Sequence, residues 1–208
     1  MREVRRMLFS GLSRPGARID QDSLARQFGI SRVPVREALI VLEGEGLVEH
    51  YARRGYFVAS ITRDDVRDHY AVYGAVAGLA ARRAASMVTP ETLAELTDLV
   101  TQMEQADADQ AELNFRFHRA INLAGGSRRL AAVLRNLVDT IPGGFFEGAT
   151  GWPERARQHH RDILEALRRG DADAAAQLVE DHLSASGDYA VALLERAGFW
   201  EVADQEEA

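Results

Sequence analysis

The sequence predicts a mainly α fold: a helix, a turn, a helix and a small β-hairpin, followed by an antiparallel all-α helical bundle. Three observations carry that prediction. Residues 1–63 mix a helical apolar period with two short β-prone runs, whereas residues 64–200 show helical periods throughout. Pro and Gly punctuate the chain at the expected ends of these segments. The net charge also changes sign at the border, from +4 over residues 1–63 to −11 over residues 64–208.

Met1–Ser10 reads as a short helix stopped by Gly11 and Pro15-Gly16. Asp20–Phe28 is a second helix with Asp20 as N-cap and Gly29 at its end. Ser31 caps a third, with Pro34 in the first turn, where a missing N–H is harmless, and Val35, Ala38, Leu39 and Leu42 on one face. Leu47–Tyr51 and Tyr56–Ile61 are β-prone, and Ala52-Arg53-Arg54-Gly55 joins them as a hairpin. Amphipathic helices then fit residues 64–87, 90–106, 109–125, 128–140, 152–169 and 171–197, with Pro142-Gly143-Gly144 and Gly148–Pro153 as the main breaks. Residues 201–208 are an acidic tail. The domains expected are 1–63 and 64–200.

Composition narrows the function. The chain has 208 residues, 46% of them hydrophobic and 27% charged, an ordinary globular balance. It has no cysteine, which removes disulfides, thiolate metal sites and cysteine nucleophiles. No apolar run reaches the ~20 residues of a membrane span, and the first residues do not read as a secretion signal, so a cytoplasmic protein with no membrane partner is expected. All 25 basic residues are Arg, and a basic front on an acidic body suggests two modules with different partners.

The front has the layout of a winged helix-turn-helix, in which the second helix of the pair enters the major groove of double-stranded DNA. Here that helix begins Ser31-Arg32-Val33-Pro34-Val35-Arg36. Arg32 and Arg36 are four apart and share a face, suited to guanine edges or phosphates. The N–H groups at the Ser31 end favour phosphate. Arg53 and Arg54 sit at the hairpin tip, within reach of backbone or minor groove. Two Arg on a helix usually just solvate it, but four at the two reading elements of one motif point to DNA.

Leu24-Ala25-x-x-Phe28-Gly29-Ile30-Ser31-Arg32-Val33-Pro34-Val35-Arg36-Glu37-Ala38-Leu39, then Leu42-Glu43-x-Glu45-Gly46-Leu47-Val48, then Arg54-Gly55-Tyr56-Phe57-Val58, resembles the DNA-binding domain of the GntR family of bacterial transcription regulators. The resemblance implies base or phosphate contacts at Arg32 and Arg36 and a wing tip at Gly55. Val33 departs from it, standing where the family commonly has Thr.

In the body, His118, His160 and His182 fall on three separate helices, each on or beside an apolar stripe. One such His is usually a hydrogen-bonded core residue. Three converging in a bundle suit a divalent metal, and Asn114 lies one turn before His118 on the same face. His159 falls off the stripe of its helix and reads as outward-facing. Asn114-Phe115-Arg116-Phe117-His118, then His160-Arg161-Asp162-Ile163-Leu164-Glu165-Ala166-Leu167-x-x-Gly170-Asp171, then His182-Leu183, resembles the FCD domain of the FadR subfamily. That resemblance implies an Asp and three His holding a divalent metal at the floor of an effector pocket, with Asn114 in the Asp position. The amide takes one negative charge out of the site, so weaker binding is expected, with Zn or Ni favoured. A second departure is Tyr73-Gly74-Ala75-Val76-Ala77, where family members often carry Arg-x-x-Leu-Glu.

The function expected is a homodimeric DNA-binding regulator, a repressor rather than an enzyme, reading an inverted-repeat operator and answering to a small effector such as a carboxylate. Two alternatives stay open. The bundle could be a metal-free dimerisation core, or the His cluster a hydrolytic metal site. Against the last, the sequence has no His-Glu-x-x-His pair and no nucleophile motif.

Overall fold

A computed structural model describes residues 15–105, 109–140 and 154–200. The expected Met1–Ser10 helix, the Pro142–Pro153 breaks and the acidic tail lie outside these residues. The chain divides into two compact units. One joins Met1–Val66 with Val191–Ala208, and the other is Arg67–Ala190.

In the first unit, helix α1 spans Gln21–Phe28. Asp20 caps it by accepting from the backbone N–H groups of Asp22 and Ser23 at 2.9 and 3.2 Å, and Gly29 ends it in the left-handed region at φ 63°. Helix α2 spans Arg32–Gly44 and buries Val35, Ala38, Leu39 and Leu42, as its apolar spacing requires. Ser31 holds the N-cap position, but its hydroxyl makes no capping bond.

Strands β1 (Val48–Tyr51) and β2 (Gly55–Val58) pair antiparallel, from Val48 opposite Val58 to Tyr51 opposite Gly55. Both are shorter than expected. One in-register bond continues past the strand ends, from the Ala59 N–H to the Leu47 carbonyl at 3.1 Å. The turn needs positive φ at Arg53 (66°) and Gly55 (95°), and only glycine adopts the second at little cost. A segment around Arg18 adds a short third bridge, opposite Phe57. So short a segment shows no period in the sequence.

The first unit also takes in the end of the last helix. Phe199 and Trp200 are buried there. The Trp200 indole N–H donates to the Ile61 carbonyl at 2.7 Å, and the Arg63 guanidinium lies 4.7 Å over the indole ring while bonding Glu195 at 2.7 Å.

The second unit is helical throughout its described residues. Its helices are α3 (Arg63–Ala85, which starts in the first unit), α4 (Pro90–Met103), α5 (Gln110–Ala124), α6 (Arg128–Thr140), α7 (Glu154–Arg168) and α8 (Ala172–Arg196, which ends in the first unit). Thr89 and Asp109 cap α4 and α5. Leu96, Leu99, Phe117, Ile121, Leu134, Ile163 and Leu167 form the core. Helices α3 and α8 approach closely because small residues face each other. A Cβ on Gly78 would lie 3.1 Å from the Ala176 carbonyl oxygen, and one on Gly187 would lie 2.9 Å from Cβ of Tyr70. No helix among the described residues is long and apolar enough to cross a membrane.

Candidate metal centre and nucleic-acid interface

Three helices of the second unit each bring one imidazole to a common point. On α5, the stripe Leu113, Phe117 and Ile121 turns inward and carries His118 beside it. On α7, His160 sits one turn before Leu164 on the buried face, and on α8 His182 follows Val179. The three side chains are almost wholly buried, at 5%, 2% and 1% exposure. His118 and His182 stack with ring centroids 4.8 Å apart, His160 lies 4.6 Å from His182, and His118 lies 5.5 Å from His160. One ring nitrogen from each falls within 4.8 Å of the other two.

Burial sets the electrostatics. It holds His118 down to about 4, and it holds His160 and His182 well below the ordinary imidazole value, with the neighbouring imidazoles adding to the effect. At neutral pH all three rings are uncharged, the form that offers a lone pair to a metal. His160 Nε2 donates to Asn114 Oδ1 at 3.0 Å, so the expected fourth residue does adjoin the cluster. His118 Nε2 is buried with no hydrogen-bond partner. Leaving such an atom unsatisfied costs about 1–3 kcal/mol, and a metal ion would remove that cost. A three-imidazole, one-amide donor set of this kind fits a borderline dication such as Zn or Ni.

Sequence reasoning missed two features here. His159, expected to face outward, is half-buried, with Nδ1 buried and without a hydrogen-bond partner, and its ring stands 5.8 Å from that of His182. His159 therefore stands beside His182 of α8 rather than away from the bundle. Asn122 and Tyr73 form a buried polar pair, and burial pushes the tyrosine hydroxyl up. Asn122 is one turn beyond His118, so Asn114, His118 and Asn122 make a polar row on α5. That i, i+4, i+8 spacing was the available signal. Arg116 and Arg119 are exposed.

The reading elements of the first unit are exposed at Ser31, Arg32, Arg36, Arg53 and Arg54. Arg32 is not idle: its guanidinium pairs with Asp22 of α1. Arg54 lies over the rings of Tyr51 and Phe57, at 5.7 and 5.3 Å, so the wing holds it on an aromatic shelf. Val33 is 64% exposed, an apolar side chain with no core to join.

Comparison with known proteins agrees with both halves. Residues 1–58 match the bacterial regulatory proteins of the gntR family, and residues 68–185 match the FCD domain. The HTH-type transcriptional regulator YdhC of Bacillus subtilis (strain 168) is 30% identical over 190 residues, covering 88% of this chain and 85% of its own. The HTH-type transcriptional repressor RspR of Escherichia coli (strain K12) is 30% identical over 191 residues, covering 88% and 83%. In fold, the chain is similar to E. coli McbR/YncC, with a TM-score of 0.66 at 24% identity over 93% of this chain and 94% of that one.

Proposed function

The chain belongs to the gntR family of bacterial regulatory proteins, in its FadR-like subfamily, and is a DNA-binding transcriptional regulator rather than an enzyme; from that premise we propose that it is a repressor that leaves its operator when a small organic acid binds at a metal held by His118, His160 and His182. The buried, uncharged imidazole triad carries this reading. The repressor sense is supported by the relative RspR, which is called a repressor. When bound, the ion supplies a positive charge at the floor of the bundle. The chain's own part is to keep three lone pairs available, to offer the Asn114 amide oxygen beside His160, and to exclude water around Phe117, whose ring lies 4.9 Å from that of His160. Because every donor is neutral, an ion there keeps its full charge and attracts an anion.

On the DNA side, Arg32 and Arg36 read base edges or phosphates, Ser31 contributes its hydroxyl and the helix N-terminus to phosphate, and Arg53, Arg54 and Gly55 form the wing contact. Arg32 must exchange Asp22 for DNA, so Asp22 competes with the operator. A homodimer is part of the reading. Val72 and Leu79 of α3, seven residues apart, are 55% and 47% exposed and offer an apolar strip to a second copy. A closed dimer presents two recognition helices and so selects an inverted repeat.

The test combines metal content with operator binding. Untagged protein should carry about one Zn or Ni per subunit, His160→Ala should abolish uptake, and Asn114→Asp should tighten it. Both variants should leave operator affinity in the absence of effector unchanged. Zero metal and no uptake on titration would favour the metal-free dimerisation core, with the imidazoles serving as a hydrogen-bonded core.

A further inference from the structure

His159 is the imidazole beside the triad that this reading leaves without a task. Its Nδ1 is buried and has no hydrogen-bond partner, its ring meets that of His182 nearly edge-on at 5.8 Å and 76°, and the residue as a whole is half-buried. Yet it is not among the imidazoles whose ligand atoms lie within 4.8 Å of one another, so it stands one layer out from them. A buried polar nitrogen placed there needs a partner, and the described residues supply none.

We infer that His159 donates a hydrogen bond to a small anion held at the triad, a carboxylate being the class that fits. The inference rests on the metal reading above. Three facts point the same way. Asn114 withholds the charge that a carboxylate ligand would give, so a bound dication would keep positive charge for an anion to offset. The chain has no Lys, so no ammonium can anchor that anion. The nearby Arg161 is committed to Glu104 at 3.1 Å and to Gln158 at 2.9 Å. A neutral imidazole N–H then serves as donor, and it reaches a group sitting on the triad without entering the ligand set itself.

The test uses the full chain loaded with Co(II), whose visible bands report both the donor set and anion uptake, and titrates it with azide and with acetate. In wild type both anions should shift the bands. His159→Ala should leave the anion-free spectrum and the Co(II) affinity unchanged within about twofold while weakening both anions by roughly tenfold. His159→Gln, which keeps a donor, should recover part of the loss. An altered anion-free spectrum or a loss of Co(II) affinity in His159→Ala would make His159 a metal ligand and overturn the inference. Unchanged anion affinity with normal Co(II) uptake would overturn it while sparing the metal reading, and a lower melting temperature alone would assign His159 a packing role. If wild type takes up no Co(II), both readings fall.

Discussion

At the scale of single residues, the buried imidazoles make stability depend on pH in a definite direction. The unfolded chain protonates His118 near 6.5, but the folded, metal-free chain does so only near 4. Between those values the unfolded state binds more protons, so stability falls as pH falls through that window and levels off below it. His160 and His182 shift in the same direction and add to the effect. Metal-free protein should therefore lose on the order of 3 kcal/mol or more between pH 7 and 4, measured by denaturant titration at each pH. His118→Phe, which removes a proton-binding site of similar bulk, should flatten the curve. Val33 gives a second prediction. It is exposed and supports no core, so Val33→Thr should move stability by less than about 0.5 kcal/mol. Its place between Arg32 and the body of α2 suits apolar contact with a thymine methyl, so the same change should alter the base preferred beside the Arg32 contact, read by selection from random DNA.

At the scale of elements, the long helices were legible because their apolar periods run for many turns. The expected ranges for α3 to α8 agree with the structure to within a few residues at each end, and the Asp20 and Gly29 signals bound α1 as expected. The triad was legible for the same reason, since a helical stripe fixes which way His118, His160 and His182 point. Short or close-contact features were not. The Arg18 bridge has no period of its own, and the pairing of β1 with β2 fades after Val58 with a single further in-register bond, from Ala59 to Leu47. The inward turn of His159 depends on a neighbouring helix that a single-helix projection does not contain. The α3–α8 contact was equally hidden. Its glycines look like weak points in a helix, yet at Gly78 and Gly187 the partner helix leaves little room for a Cβ. Gly187→Ala would normally help a helix by up to about 1 kcal/mol, but here the new methyl meets Cβ of Tyr70 at 2.9 Å. The steric cost should win, with a net loss of roughly 1–3 kcal/mol by thermal or chemical denaturation. A neutral or stabilising result would mean that α3 and α8 slide apart freely.

At the scale of the whole molecule, the two units are not simply consecutive stretches of chain. The first unit closes with residues from the far end of the sequence, and Trp200 is the central piece of that closure. Its indole N–H gives the Ile61 carbonyl a partner, its ring underlies Arg63, and Glu195 fixes the other side of that guanidinium. The composition split at residue 63 did not reveal this, because Trp200 follows the last helical stripe with no local signal of what it packs against. Trp200→Ala removes a buried aromatic and leaves the Ile61 carbonyl without its donor, so it should cost on the order of 3 kcal/mol. The loss should fall on the first unit. In a two-transition melt the winged helix should unfold at lower temperature, and operator binding should fail there first, while metal uptake at His118, His160 and His182 persists. Trp200→Phe should restore most of the packing but not the hydrogen bond, and so recover part of the stability. A fragment ending at Arg63 should show a deficit at least as large as that of Trp200→Ala, since it lacks Glu195 and Phe199 as well as Trp200. Equal stability of that fragment and of the winged helix in the full chain would show that the returning C-terminal segment contributes nothing to the DNA-reading unit.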